Sequence, residues 1–145
     1  MPDGAGGAGG AVSGRIPSFL AFDFGTQRTG VATGNRLVGH ATALTTISAV
    51  GDARFAQIAS LIAQWQPDAL VVGVPWHPDG AAHDNTRRAQ RFGRQLGGRF
   101  RLPVHPVDER YSTTEALASG AADADAASAA VILDQFLRDL EQALS

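Results

Sequence analysis

Four acidic residues stand where a fold can gather them. Asp23 directly follows the apolar run Phe19-Leu20-Ala21-Phe22, Asp108 and Glu109 follow Leu102–Val107, and Asp125 stands before an alanine-rich stretch. Carboxylates brought to one sheet edge repel each other, and burying them is costly. A divalent cation relieves both penalties, and oxygen-only ligands suit Mg²⁺ or Mn²⁺ rather than zinc. Two such ions about 4 Å apart activate water and stabilise the leaving oxygen of a phosphodiester. Each acid also has a plainer reading. Asp23 suits a turn, accepting hydrogen bonds from the Gly25 to Thr29 loop. Asp125 suits the N-cap of the helix it precedes. Asp108 and Glu109 have Arg110 and other arginines within reach.

The pattern around these acids defines the elements that must position them. The run ending at Asp23 reads as a buried strand. Gly25 to Gly30 reads as a tight turn, Val31-Ala32-Thr33 as a strand paired back on the first, and a third strand is expected near Gly39 to Ala43. Phe55, Ile58, Ile62 and Trp65 share a face of a helix over Asp52 to Gln66, which Pro67 stops. Ala69 to Val74 is continuously apolar, the mark of a strand covered on both faces. A second helix is expected over Asn85 to Leu96, closed by Gly97-Gly98. Leu102 to Val107 reads as a last strand despite Pro103 and Pro106. A short helix over Thr113 to Ala118 precedes a longer one over Ala126 to Leu144, striped with Ile132, Phe136, Leu140 and Leu144. Three hairpin strands followed by strand–helix alternation predict an α/β mixed sheet: three antiparallel strands, then parallel ones, with helices on both faces. Functional ends of the parallel strands lie at the carboxyl edge.

Bulk properties narrow the function classes. The chain has 145 residues, one domain's worth. Residues 1–17, rich in glycine and alanine, read as a disordered tail, leaving 18–145 as the domain. There is no cysteine, which excludes thiolate chemistry and disulfides and fits a cytoplasmic setting. No apolar run reaches the roughly 20 residues of a membrane span, and no signal peptide is apparent. Net charge is −2, yet all 12 basic residues are arginine, and seven of them fall between Arg87 and Arg110. Arginine's planar fork matches phosphate. Arg28, Arg87, Arg88, Arg91 and Arg110 are therefore candidate nucleic-acid contacts, with Arg94 beside them; an exposed helix face is the plainer alternative. His77, His83 and His105 are candidate proton shuttles, with surface or structural roles favoured.

Four segments in order carry a resemblance. They are Ala21-Phe22-Asp23-Phe24-Gly25-Thr26-Gln27-Arg28-Thr29-Gly30-Val31-Ala32; Val71-Val72-Gly73-Val74-Pro75 with Asp79-Gly80 and Arg87 to Phe92; Asp108-Glu109-Arg110-Tyr111-Ser112-Thr113-Thr114-Glu115-Ala116; and Asp125 to Leu133. Together they resemble the YqgF family, also called RuvX, of Holliday-junction-resolvase-like or pre-16S rRNA nucleases. The third segment is the most specific; the first shares its DxGT turn with sugar-kinase and actin-like ATPases. The resemblance implies a ribonuclease H-like fold and a metal-dependent nuclease maturing the 5′ end of 16S rRNA in the cytoplasm. It implies Asp23, Glu109 and Asp125 as metal-binding and catalytic carboxylates, with Asp108 beside them and Glu109 favoured over Asp108. Mg²⁺ or Mn²⁺ would be the cofactor. Pre-rRNA is the favoured partner and branched DNA the alternative, with no membrane and a monomer or weak homodimer. By residue type, Arg28 and Arg110 are candidates to contact phosphate, and Tyr111 or Trp76 to stack on an unpaired base, with a buried core role an equal alternative for Trp76. Three features depart from the family pattern: Gln27 replaces lysine, Trp76-His77-Pro78 replaces leucine-asparagine-methionine, and the Ala116 to Asp125 connection lacks a basic glycine-lysine stretch. Gln27 and the shortened, less basic connection keep open a catalytically weak RNA-binding assembly factor. An actin-like ATPase module is disfavoured, because such proteins need two domains.

Overall fold

A computed structural model describes residues 16–76, 79–109 and 124–144. Residues 1–15 of the expected 1–17 tail, the short helix over Thr113 to Ala118, and His77, Arg110 and Tyr111 lie outside the described residues.

Among the described residues, five strands form one sheet: β1 (Ser18–Phe24), β2 (Thr29–Asn35), β3 (Ala41–Ile47), β4 (Ala69–Val74) and β5 (Val104–Asp108), in the order β3-β2-β1-β4-β5. β1 pairs antiparallel with β2, and β2 with β3. β4 lies parallel to both β1 and β5. The mixed sheet expected from the element order is therefore the one observed. β3 starts later than expected because Gly39, at φ 80°, is still turning the chain.

Among the described residues, three helices cover the sheet: α1 (Gly51–Trp65), α2 (Asp84–Phe100) and α3 (Ala124–Leu144). Strand side chains alternate between faces, and the two cores follow that alternation. Leu20, Phe22, Val31, Leu70 and Val72 pack with Phe55 and Ile58 of α1 and Phe92 and Leu96 of α2. Phe19, Ala21, Val71 and Val107 pack with Ile132, Leu133 and Leu137 of α3. Each fully buried large apolar side chain contributes about 1.5–3 kcal/mol, so these two layers hold the strand ends in place.

The helix boundaries differ from expectation for physical reasons. Gly97 and Gly98 do not close α2. Leu96 is fully buried and Phe100 packs on the core, which outweighs about 1 kcal/mol of helix preference per glycine. Arg101 ends the helix instead, left-handed at φ 55°, its N–H donating to the Gly97 carbonyl at 3.0 Å. Trp65, expected on the buried face of α1, is 40% exposed in the last turn. On α3, Ile132 is buried and Phe136 and Leu140 pack against the same layer; the Leu144 side chain is outside the description.

Candidate active site

Asp23 continues the Phe19, Ala21 series, so its side chain falls on the α3 face of the sheet. Ser128 of α3, 2% exposed, hydrogen-bonds its carboxylate. Asp125 lies in the first turn of α3, not before it, where the positive end of the helix dipole favours a carboxylate. What brings Asp125 beside Asp23 is Gly30. It pairs with Asp23 across β1 and β2, and a Cβ there would sit 1.7 Å from the Asp125 carbonyl oxygen. Only a glycine lets the α3 backbone come down onto β2 at this point.

Burial, and then the charge of Asp125, push the Asp23 carboxyl up to about 7, against a smaller lowering by the Ser128 hydrogen bond. Near neutral pH Asp23 is therefore close to half protonated, and a cation binding there would displace that proton. Asp125 already has one cationic partner. Arg28 Nε donates to its Oδ2 at 2.9 Å, with the Arg28 side chain 64% exposed.

Glu109 and Asp108 part company. Val107 faces α3, so Glu109 does too, and Asp108 turns to the α2 side. Glu109 is 7% exposed, and its N–H donates to the Val74 carbonyl at 3.2 Å. Its carboxyl lies under Gly73 of β4, where a Cβ would come within 3.0 Å of the Glu109 Cδ and 2.3 Å of Ile132 Cδ1. Gly73 thus leaves the space between Asp23 on β1 and Glu109 beyond β5 free of a side chain of its own. Among the described residues, no three His, Cys, Asp or Glu groups stand close enough together to hold a metal ion as they are. Asp23 and Asp125 are in electrostatic contact; Glu109 joins them on the same face and at the same sheet edge.

The other candidates sort clearly. Arg28 stands at the acidic site. Arg87, Arg88, Arg91 and Arg94 are exposed on α2, across the sheet from Asp23. Arg87 reaches Asp84 at 3.4 Å, and Arg88 reaches Asn85 at 3.1 Å. His83 caps α2, its Nδ1 accepting from the Asn85 N–H at 3.2 Å, and His105 stacks on Phe136.

Sequence reasoning missed Ser128 and Arg54. Arg54, 6% exposed on α1, donates through Nη2 to the carbonyls of Gly25 and Thr26, both at 3.0 Å, and through Nε to Ala49 at 3.1 Å. It also sits 4.7 Å from the centre of the Phe24 ring. The turn after Asp23 is thus pinned from below. Burial lowers the Arg54 pKa from its ordinary value. One signal was present: Arg54 is four residues before Ile58, on the apolar stripe of α1.

A sequence profile of the RuvX family, described as Holliday junction resolvase, matches residues 17–139. The chain belongs to the RuvX family. It is 70% identical over 125 residues to a protein of Polaromonas sp. that bears the name "Putative pre-16S rRNA nuclease", covering 86% of this chain and 91% of the relative. A Burkholderia pseudomallei protein of the same name is 52% identical over 137 residues, covering 90% and 94%. The fold matches that of Thermus thermophilus RuvC, solved in complex with a Holliday junction substrate. The TM-score is 0.56 at 15% identity, covering 86% of this chain and 96% of that one. The ribonuclease H-like architecture expected of a RuvX chain is therefore the one it has. Among the described residues, no helix is long and apolar enough to cross a membrane.

Proposed function

We propose that this chain is a nuclease that hydrolyses phosphodiester bonds in the 5′-end maturation of pre-16S rRNA, using divalent cations, Mg²⁺ or Mn²⁺, held by Asp23, Asp125 and Glu109. The observation that carries the reading is the meeting of Asp23 and Asp125 at the carboxyl end of β1, with the Asp23 carboxyl pushed up to about 7. Two carboxylates kept this close without full solvation are under electrostatic strain that a cation relieves. The donors are all oxygen, which fits Mg²⁺ or Mn²⁺. When bound, such ions supply a water nucleophile of lowered pKa and charge stabilisation for the departing oxygen.

The chain's own residues do the rest. Asp23 and Asp125 provide the negative charge that recruits the ions, and Glu109 adds a third carboxylate from the next strand but one. Ser128 orients the Asp23 carboxylate. Gly30 sets the Asp125 distance, and Arg54 fixes the turn behind Asp23. Arg28 neutralises Asp125 in the absence of cation. Its exposed guanidinium is free to turn to the substrate phosphate once a cation takes its place, as a fork that fits a phosphate. Asp108 faces away and plays no part in ion binding. A soluble setting in the cytoplasm, and work as a monomer or weak homodimer, complete the reading.

The test is cleavage of an end-labelled pre-16S rRNA leader and of a four-way DNA junction with Mg²⁺ or Mn²⁺. Wild type cuts the leader in preference, and Asp23→Asn loses at least a hundredfold in rate. Equal cleavage by both proteins removes Asp23 from the mechanism, and preference for the junction moves the substrate to DNA.

A further inference from the structure

A groove of about 640 Å³ opens between α2 and the edge strand β5, on the face of the sheet away from the acidic site. Val74 and Val104 give it apolar walls, Trp76 stands at its end, and Gln90 and Arg94 bring polar groups. One side is formed by Gly93 and Gly97, a turn apart on α2. A Cβ at Gly93 would lie 3.6 Å from Val104 Cγ1, and one at Gly97 3.6 Å from Val104 Cγ2, both ordinary contacts. Alanine therefore fits at both positions and is the better helix former. Two helix-weakening glycines persist where packing does not demand them, and their effect is to keep the slot open.

The groove's position and surroundings indicate an occupant. It reaches the carboxyl ends of β4 and β5, where ligands of parallel sheets bind. Asp108 borders it, and the next residue, Glu109, turns to the acidic face. Arg87, Arg91 and Arg94, at i, i+4 and i+7, form a basic row along the exposed side of α2. A polyanion's backbone follows such a row, and an apolar slot with an aromatic end and a few polar groups accepts a planar ring.

We propose that the groove between α2 and β5 is a subsite for an unpaired nucleobase of the bound strand, stacked on Trp76, with Arg94 meeting the adjoining phosphate. The path of the strand towards Glu109 rests on the nuclease reading above; base capture itself is measured without cleavage. The full chain is titrated in EDTA with fluorescein-labelled eight-residue oligoadenylate, and with an eight-residue abasic strand carrying the same phosphates. Stacking of one base predicts about a tenfold preference for oligoadenylate. Trp76→Ala and Gly93→Met bring that ratio close to one while leaving abasic affinity unchanged. Gly93→Ala melts above wild type, confirming that the slot is not required for folding, and Trp76→Ala carries the binding result should Gly93→Met fold poorly. Equal affinity of wild type for both strands overturns the proposal, as does a preference that survives both groove variants. A shift of oligomeric state in Gly93→Met with no change in base preference reassigns the groove to a second copy of the chain. Base preference without any cleavage would leave the subsite standing and remove the nuclease; cleavage without base preference would do the reverse.

Discussion

Removing the charge of Asp23 should stabilise the folded chain at neutral pH when no cation is present. The Asp23 carboxyl is pushed from its ordinary 3.8 to about 7, first by burial and then by Asp125. The folded chain thus binds that proton more tightly than the unfolded one. Its contribution to stability is full below pH about 4, declines as pH rises, and is gone above about 7. At 1.36 kcal/mol per pH unit the loss would approach about 4 kcal/mol. Asp23 keeps some solvent contact, which screens the loss to on the order of 3 kcal/mol. Asp23→Asn keeps the size and polarity of the side chain without the titration. Urea unfolding in EDTA at pH 5 and pH 8 measures the effect. Wild type should lose roughly 2 kcal/mol more than Asp23→Asn across that interval, the part of the loss that falls above pH 5. Parallel pH dependences of the two proteins would refute the reasoning, because other carboxylates titrate equally in both.

Other outcomes follow from the same geometry. Gly30→Ala forces a Cβ against the Asp125 carbonyl, 1.7 Å away in the native arrangement; it should cost about 3 kcal/mol or more in urea unfolding and remove cleavage with it. Arg54→Met strips the Gly25, Thr26 and Ala49 carbonyls of their donor and should cost about 3 kcal/mol, with Arg54→Lys recovering part of it. Arg28→Gln breaks an exposed ion pair worth under about 1 kcal/mol. It should leave the unfolding midpoint near wild type, tighten Mn²⁺ binding in calorimetry by freeing Asp125, and weaken RNA binding. A Mn²⁺-induced rise in melting temperature should grow from pH 6 to pH 8, as the cation no longer has to displace the Asp23 proton.

Much of the fold is legible in apolar patterning. β1 and β4 stand out because both are buried on two faces, and α1 shows its stripe. α2 was cut short because a glycine pair reads locally as a stop, whereas Leu96 and Phe100 carry the helix on by tertiary packing. Pro106 obscured the phase of the last strand. It is tolerated because, among the described residues, β5 is an edge strand paired only with β4. Once the pairing is known, Val107 facing α3 decides that Glu109, not Asp108, shares a face with Asp23. Asp23 and Asp125 were recognisable from their places beside apolar segments. Ser128 and Arg54 were not, because an alanine-rich helix and an amphipathic one hide single polar residues whose partners lie far away in sequence. The α2–β5 groove leaves no local signature except Gly93 and Gly97, and Gly97 with Gly98 reads more simply as a helix end.

The central claim is that the Asp23, Asp125 and Glu109 carboxylates share a cation-binding edge. Anomalous diffraction from crystals soaked in Mn²⁺ tests it most directly. The account predicts density in contact with Asp23 and Asp125, with Glu109 on its other flank and Arg28 withdrawn from Asp125. Saturating Mn²⁺ that supports cleavage in solution yet leaves the Arg28–Asp125 pair intact, with no cation beside Asp23, would contradict it.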